Sequence, residues 1–202
     1  MKRDNLIILA VAVIATVALG APSHGETLVT LGSAVAPAGG ATVIVPVYVR
    51  MAGGGQLGPD QPSGYAAQGL ALKVVYAPVE AVAAIKIRRA GVTAPLSPLF
   101  ETFVRSRDGV AMIVSFQEST QRIPLTLSSD GLGDTVAEVE VSLAPDVREG
   151  TVVTLRFDRK TSALSNQAGT VLESAANGHL RFRDGHIVVG RVVQRHLREM
   201  AP

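Results

Sequence analysis

From residue 26 onward, apolar and polar side chains alternate with a period of two, the spacing of a strand with one face in a core and the other in water. The runs are Thr42–Met51 (TVIVPVYVRM), Gly69–Tyr76 (GLALKVVY), Ala81–Arg89 (AVAAIKIRR), Phe100–Arg107 (FETFVRSR), Val110–Gln117 (VAMIVSFQ), Asp134–Leu143 (DTVAEVEVSL) and Thr151–Phe157 (TVVTLRF), with HLRF and HIVVG closing the series. They are rich in β-branched residues and are separated by Gly, Pro, Asp and Asn, which predicts an all-β sandwich or barrel. Alternation also assigns faces. Leu70, Leu72, Val74 and Tyr76 are expected in the core, as are Ala137, Val139, Val141 and Leu143, and Val153, Leu155 and Phe157. Their neighbours Ala71, Lys73 and Val75, then Val136, Glu138, Glu140 and Ser142, then Val152, Thr154 and Arg156, are expected outside.

Punctuation between the runs refines this. Asp108-Gly109 and Asp184-Gly185 predict tight hairpins, since Gly accepts positive φ at no steric cost. Pro46 lies inside a strong strand; having no N–H to donate, it predicts an edge strand or a bulge. Pro95–Glu101 (PLSPLFE) is expected to form one helical turn, and Ala52–Gln68 a Gly/Pro-rich loop within the domain. No internal repeat is visible, so residues 26–190 are expected to be one domain. The tail Arg191–Pro202 is expected to be a solvated terminus.

The first 25 residues change the picture of location. Lys2 and Arg3 precede an uncharged apolar run, Leu6–Leu19, and then small residues and Pro22. That order reads as a secretory signal, cut after Gly20 or Gly25, against the alternative of an uncleaved N-terminal anchor, for which the run is short of the ~20 residues of a membrane span. The expectation is a secreted, periplasmic or cell-surface protein with no membrane span once the signal is removed. Removing residues 1–25 takes away Lys2, Arg3 and Asp4 and leaves a formal charge of about +1. With no basic stripe interleaved with aromatics, nucleic acid is not an expected partner. The chain has no Cys, hence no disulfide, thiol nucleophile or Cys-based metal site.

Candidate chemistry is sparse. His179 and His186 flank Asp184-Gly185 and would face each other across a hairpin there, a metal pair with no third ligand, against the plainer reading of surface histidines. Asp130 and Asp134 bracket Gly131-Leu132-Gly133 and offer oxygens to Ca²⁺, against the plainer reading of a polar turn; no other cofactor is suggested. Glu138 and Glu140 lie ~7 Å apart along one strand face, a spacing that regular alternation explains as surface. No Gly-x-Ser-x-Gly, His-Glu-x-x-His or phosphate-binding Gly-rich motif occurs, so an enzyme is not expected. Sugar recognition usually needs flat aromatic platforms; the chain has no Trp, and Tyr65 is the one Tyr outside a strand pattern.

The order of segments resembles the cohesin domains of bacterial cellulosome scaffolds. The likeness runs through VTLGSAVAPAGGATVIVPVYV (Val29–Val49), GLALKVVYAP (Gly69–Pro78), FETFVRSRDGVAMIVSFQES (Phe100–Ser119), SDGLGDTVAEVEVSLAPDVREGTVVTLRF (Ser129–Phe157) and NGHLRFRDGHIVVG (Asn177–Gly190). It implies a nine-stranded jelly-roll β-sandwich and a non-catalytic role in binding dockerin modules of glycan-degrading enzymes. It also implies a partner on the sheet that carries the family's third, fifth, sixth and eighth strands. On this chain the matching outward positions are Ala71, Lys73 and Val75, then Ser115 and Gln117, then Thr154 and Arg156. Dockerin-binding members usually carry Asn or Asp at the start of the third strand's outer face, where this chain has Gly69 and Ala71. Two alternatives stand beside a protein-binding module: a carbohydrate-binding module centred near Tyr65, and a structural subunit of a cell-envelope assembly that pairs through an edge strand.

Overall fold

A computed structural model describes residues 26–116, 122–128 and 131–190. The described chain forms β1 (Thr27–Leu31), β2 (Ala34–Ala36), β3 (Thr42–Met51), β4 (Gly69–Ala77), β5 (Val82–Arg89), β6 (Pro98–Arg105), β7 (Gly109–Phe116), β8 (Asp134–Leu143), β9 (Val152–Phe157), β10 (Ala163–Ser165), β11 (Leu172–Ser174), β12 (Leu180–Arg183) and β13 (Gly185–Val189). Nine of these have five or more residues, and four are short. One sheet has the order β12-β1-β3-β8-β5. The other runs β6-β7-β4-β9-β13-β2, with the β10-β11 hairpin beside the first half of β4. The two inner faces meet in a single apolar core, as a β-sandwich requires.

Period-two alternation is what fills that core. Val43, Val45, Val47 and Val49 of β3 face Leu72, Val74, Val153 and Leu155 of the other sheet, all at most 1% exposed. Slender β-branched side chains suit a pleated surface, and few aromatics are needed: Phe116 is fully buried, and Phe157 packs on Phe182 at 5.1 Å between ring centroids. Tyr76 is buried with its hydroxyl donating to the Arg107 carbonyl at 2.9 Å.

Five expectations are corrected. Asp184-Gly185 is not a hairpin: β12 pairs parallel with β1, whereas β13 belongs to the other sheet, between β9 and β2. The dipeptide carries the chain between sheets, beside the β1–β2 crossing, so close that a Cβ on Gly185 would collide with the Gly32 carbonyl. His179 and His186 are therefore apart: His179 Nε2 bonds Gln56 at 3.0 Å and His186 Nδ1 bonds Ser33 at 3.1 Å. Pro46 is not on an edge, since β3 is flanked by β1 and β8. Its missing N–H faces Gly32, where β1 leaves the sheet, and its carbonyl accepts the Gly32 N–H at 2.9 Å; the nearby bulge is in the neighbouring β8, where Val136 is the extra residue opposite Val47/Tyr48. That bulge turns Val136 inward to 0% exposure, against the simple alternation. Finally, Pro98–Glu101 is strand, and the turn of 3₁₀ helix that precedes it lies earlier, at Gly91–Thr93.

Candidate functional site

The outer face of the larger sheet is built row by row from register. Strand β4 lies between β7 and β9, so its outward residues meet neighbours on both sides. Ala71 stands opposite Ile113, Lys73 opposite Ala111 and Gly69 opposite Ser115. The Asp108-Gly109 hairpin folds β6 back along β7, setting Thr102 opposite Ile113, Val104 opposite Ala111 and Phe100 opposite Ser115. On the far side Val75 stands opposite Arg156 and Ala77 opposite Thr154. Three cross-strand rows thus form one surface, with Phe100 (53% exposed), Val104 (54%) and Ile113 (43%) as its large apolar groups.

Six of the seven residues expected from sequence, Ala71, Lys73, Val75, Ser115, Thr154 and Arg156, lie on this face; Gln117 lies outside the described residues. Phe100, Thr102, Val104, Ala111 and Ile113 were missed. Part of their signal was present, since Ser115 outward makes Ile113 and Ala111 outward by parity; the β6 partners were not legible, because the turn residues are Arg107-Asp108, one position before the expected Asp108-Gly109, and Gly109 already opens β7.

Charge on the face is largely neutralised. Lys73 Nζ lies 2.8 Å from Asp158 Oδ2, at the turn that fills the gap in β4's pairing between β10 and β9. There the Lys73 carbonyl accepts the Asp158 N–H at 2.8 Å, and the Lys73 N–H donates to Ser162 Oγ at 3.0 Å. The hydrogen bond and charge of Asp158 raise the Lys73 ammonium, and the Lys73 hydrogen bond holds the Asp158 carboxyl below its ordinary value. Among the described residues Arg156 forms no ion pair.

The opposite face is different in kind. Arg88 reaches Glu138 at 2.8 Å and Lys86 reaches Glu140 at 3.7 Å, a cross-strand charge ladder on β5 and β8. The spacing of Glu138 and Glu140 is that ladder's. Asp134 accepts the N–H of Thr126 at 2.6 Å and its hydroxyl at 2.9 Å, while Asp130 lies outside the described residues. Among the described residues no three His, Cys, Asp or Glu come together as a metal site. A cleft of about 220 Å³ between the Ala52–Gln68 loop and residues 122–126, lined by Met51, Ala67, Arg122, Ile123 and Leu125, is smaller than ordinary small-molecule pockets. Tyr65 stands on the 3₁₀ turn Ser63–Tyr65, 49% exposed.

No family model matches the chain, and no curated protein matches its sequence. Solved structures do. The third cohesin ScaC from Acetivibrio cellulolyticus, in complex with the ScaB dockerin, superposes with a TM-score of 0.58 at 17% identity, covering 82% of this chain and 100% of that one. The chain has the cohesin fold. The OlpA cohesin from Clostridium thermocellum, also solved in a cohesin–dockerin complex, gives 0.58 at 11% identity over 82% and 99% of the two chains. A non-cellulosomal cohesin from the archaeon Archaeoglobus fulgidus gives 0.50 at 10% identity over 88% and 100%. At these identities the cohesin likeness establishes architecture, and function rests on the face itself.

Proposed function

We propose that this cohesin-fold domain is an exported, non-catalytic protein-binding module that receives a dockerin-like protein on the outer face of β6, β7, β4 and β9. The observation that carries the reading is the contrast between faces: the larger sheet presents Phe100, Val104 and Ile113 over rows of small residues with Lys73 already paired, while the smaller sheet presents a charge ladder. An apolar, charge-poor area rimmed by polar groups is what a protein interface buries. Dockerin complexes of the structural neighbours support the class of partner. Export is supported by Lys2 and Arg3 ahead of the apolar run Leu6–Leu19. Among the described residues no helix is long and apolar enough to cross a membrane. A role beside polysaccharide breakdown follows only if the partner carries such an enzyme.

The test is titration calorimetry of the domain against dockerin-bearing proteins exported by the same cell. Binding is expected, and Ile113→Asp is expected to weaken it by at least tenfold, as burying an unpaired carboxylate does. Thr154→Arg should act in the same direction at the β9 side. Binding unmoved by both variants would remove this face from consideration. A glycan array on the same material checks the other class: sugar binding lost on Tyr65→Ala, without protein binding, would make this a carbohydrate-binding module.

A further inference from the structure

Among the described residues the two sheets have five edges, and four are protected by shortness or charge. β2 and β11 have three residues each and β12 has four. β5 is long but carries Lys86, Arg88 and Arg89. β6 is the least protected: eight residues long, with Pro only at its first position, its register shift confined to Pro98/Phe100, and two charges of opposite sign, Glu101 and Arg105, among large apolar neighbours. It exposes Leu99 (58%), Phe100 (53%), Phe103 (49%) and Val104 (54%), on both of its faces. Edges of this length and apolarity are usually blunted by charge, proline or bulges, because their backbone is a template for another strand.

The hydrogen-bond pattern shows which groups are free to pair. The Ser106 N–H donates to the Gly109 carbonyl at 2.9 Å, and the Phe116 N–H donates to Gln68 on the other side of β7 at 2.9 Å. Residues of one antiparallel strand direct their backbone groups alternately to either side. Ala111, Ile113 and Ser115 therefore bond to β6, through Val104, Thr102 and Phe100. Glu101, Phe103 and Arg105 direct their N–H and C=O groups away from the sheet.

We propose that β6 pairs antiparallel with β6 of a second copy of this chain, about a twofold axis through Phe103. This register sets Phe103 against Phe103 of the second copy, Glu101 against Arg105 in both directions, and Thr102 against Val104. The outward backbone groups of the two strands then meet, and opposite charges face each other. An axis moved to Glu101 or to Arg105 places like charges side by side, which is unfavourable across strands. An axis at Thr102 sets Glu101 against Phe103. Glu101 is fixed in orientation by Arg89, whose Nε donates to its carboxylate at 2.6 Å. The junction is small compared with permanent dimer interfaces, so a concentration-dependent equilibrium is expected. It extends the outer face across two copies without covering it.

Sedimentation equilibrium of the full chain, as isolated from cells that express it, tests this. A monomer–dimer equilibrium is expected. Phe103→Lys should abolish it, and Arg105→Glu should weaken it on the order of tenfold by turning two attractive pairs repulsive. The chain's lack of Cys allows a sharper check. A single cysteine from Phe103→Cys should crosslink copy to copy through a short bis-maleimide. One from Leu99→Cys should not, because eight residues of stagger separate the two sites by about 27 Å. Both positions are half exposed or more, so the variants are expected to fold, which circular dichroism verifies. A monomer at all concentrations overturns the proposal, as does a dimer indifferent to Phe103→Lys, or one in which β6 pairs with a foreign peptide instead. Ile113→Asp should spare the dimer while removing the partner, so failure here and failure of the outer-face reading are distinct results.

Discussion

Glu173 is a fully buried carboxyl group. It lies on β11 at 0% exposure, closing one end of the sandwich; its Oε1 accepts the Leu57 N–H at 3.1 Å, while Oε2 and the neighbouring Thr27 Oγ1 make no hydrogen bond of good geometry. Burial pushes its carboxyl up, against the pull of the Thr27 hydroxyl, the Leu57 and Gln56 N–H groups and His179. A raised folded-state value means the native protein binds this proton more tightly than the unfolded chain, so this group's stabilising contribution is present at low pH. It is lost as pH rises from the ordinary carboxylate range through the raised value. Glu173→Gln, a permanent mimic of the protonated acid, should therefore gain stability relative to the parent as pH rises; urea denaturation at pH about 4 and about 7 measures it. A difference that does not change with pH would mean that the carboxyl titrates in the fold as it does in the unfolded chain. At the sheet crossing, Gly185→Ala should cost about 1–3 kcal/mol, because the added methyl meets the Gly32 backbone and has nowhere to move. Neither role was legible in the sequence: a Glu in a polar stretch looks like surface, and the Gly of Asp184-Gly185 looks like a hairpin turn, until a second segment is packed against them.

Among elements, β6 pairs with β7 alone, and one side chain from the other sheet reinforces it. Arg89, at the end of β5, reaches out of its own sheet to Glu101 on β6 at 2.6 Å. It also donates to the carbonyls of Thr93 at 2.7 Å and Leu96 at 2.8 Å, and its guanidinium lies 5.9 Å from the Phe116 ring centre. One cation thus ties both sheets and the connection between β5 and β6. Arg89→Ala should destabilise the domain by about 2–3 kcal/mol, since it leaves carbonyls and a half-buried carboxylate unpaired. Amide hydrogen exchange in β6 should rise more than in β3. Equal protection in both would show that β6 is held by β7 alone. The strands themselves were legible, β8 to the residue, because alternation is a local property of the chain. The two Asp-Gly pairs were not equally legible. Both permit a sharp change of direction, but only Asp108-Gly109 joins strands that pair with each other. Asp184-Gly185 delivers its strands to different sheets, a choice made by β1 and β9 far away in sequence.

For the whole molecule, two sheets sharing one core should unfold as a unit. Thermal denaturation followed by circular dichroism and by tyrosine fluorescence is expected to give coincident single transitions. Separate transitions would mean that the short crossings at Gly32 and Gly185 do not couple the sheets. The contrast between outer faces is also a property at this scale. Glu138→Lys disturbs the charge ladder on the smaller sheet and should leave partner binding unchanged, where Ile113→Asp removes it.

What the sequence by itself determined was the set of strands, the inward and outward parity of most of them, and hence six outward residues that share one face. Parity follows from the pleat, which each segment carries alone. Tertiary structure decided everything that depends on which strands are neighbours. It placed Pro46 inside a sheet by ending β1 opposite it, and turned Val136 inward through a bulge imposed by β3. It separated His179 from His186, and it left β6 rather than β3 at the margin. Pairing joins segments remote along the chain, and its outcome is set by the shape of the common core, which no local pattern encodes.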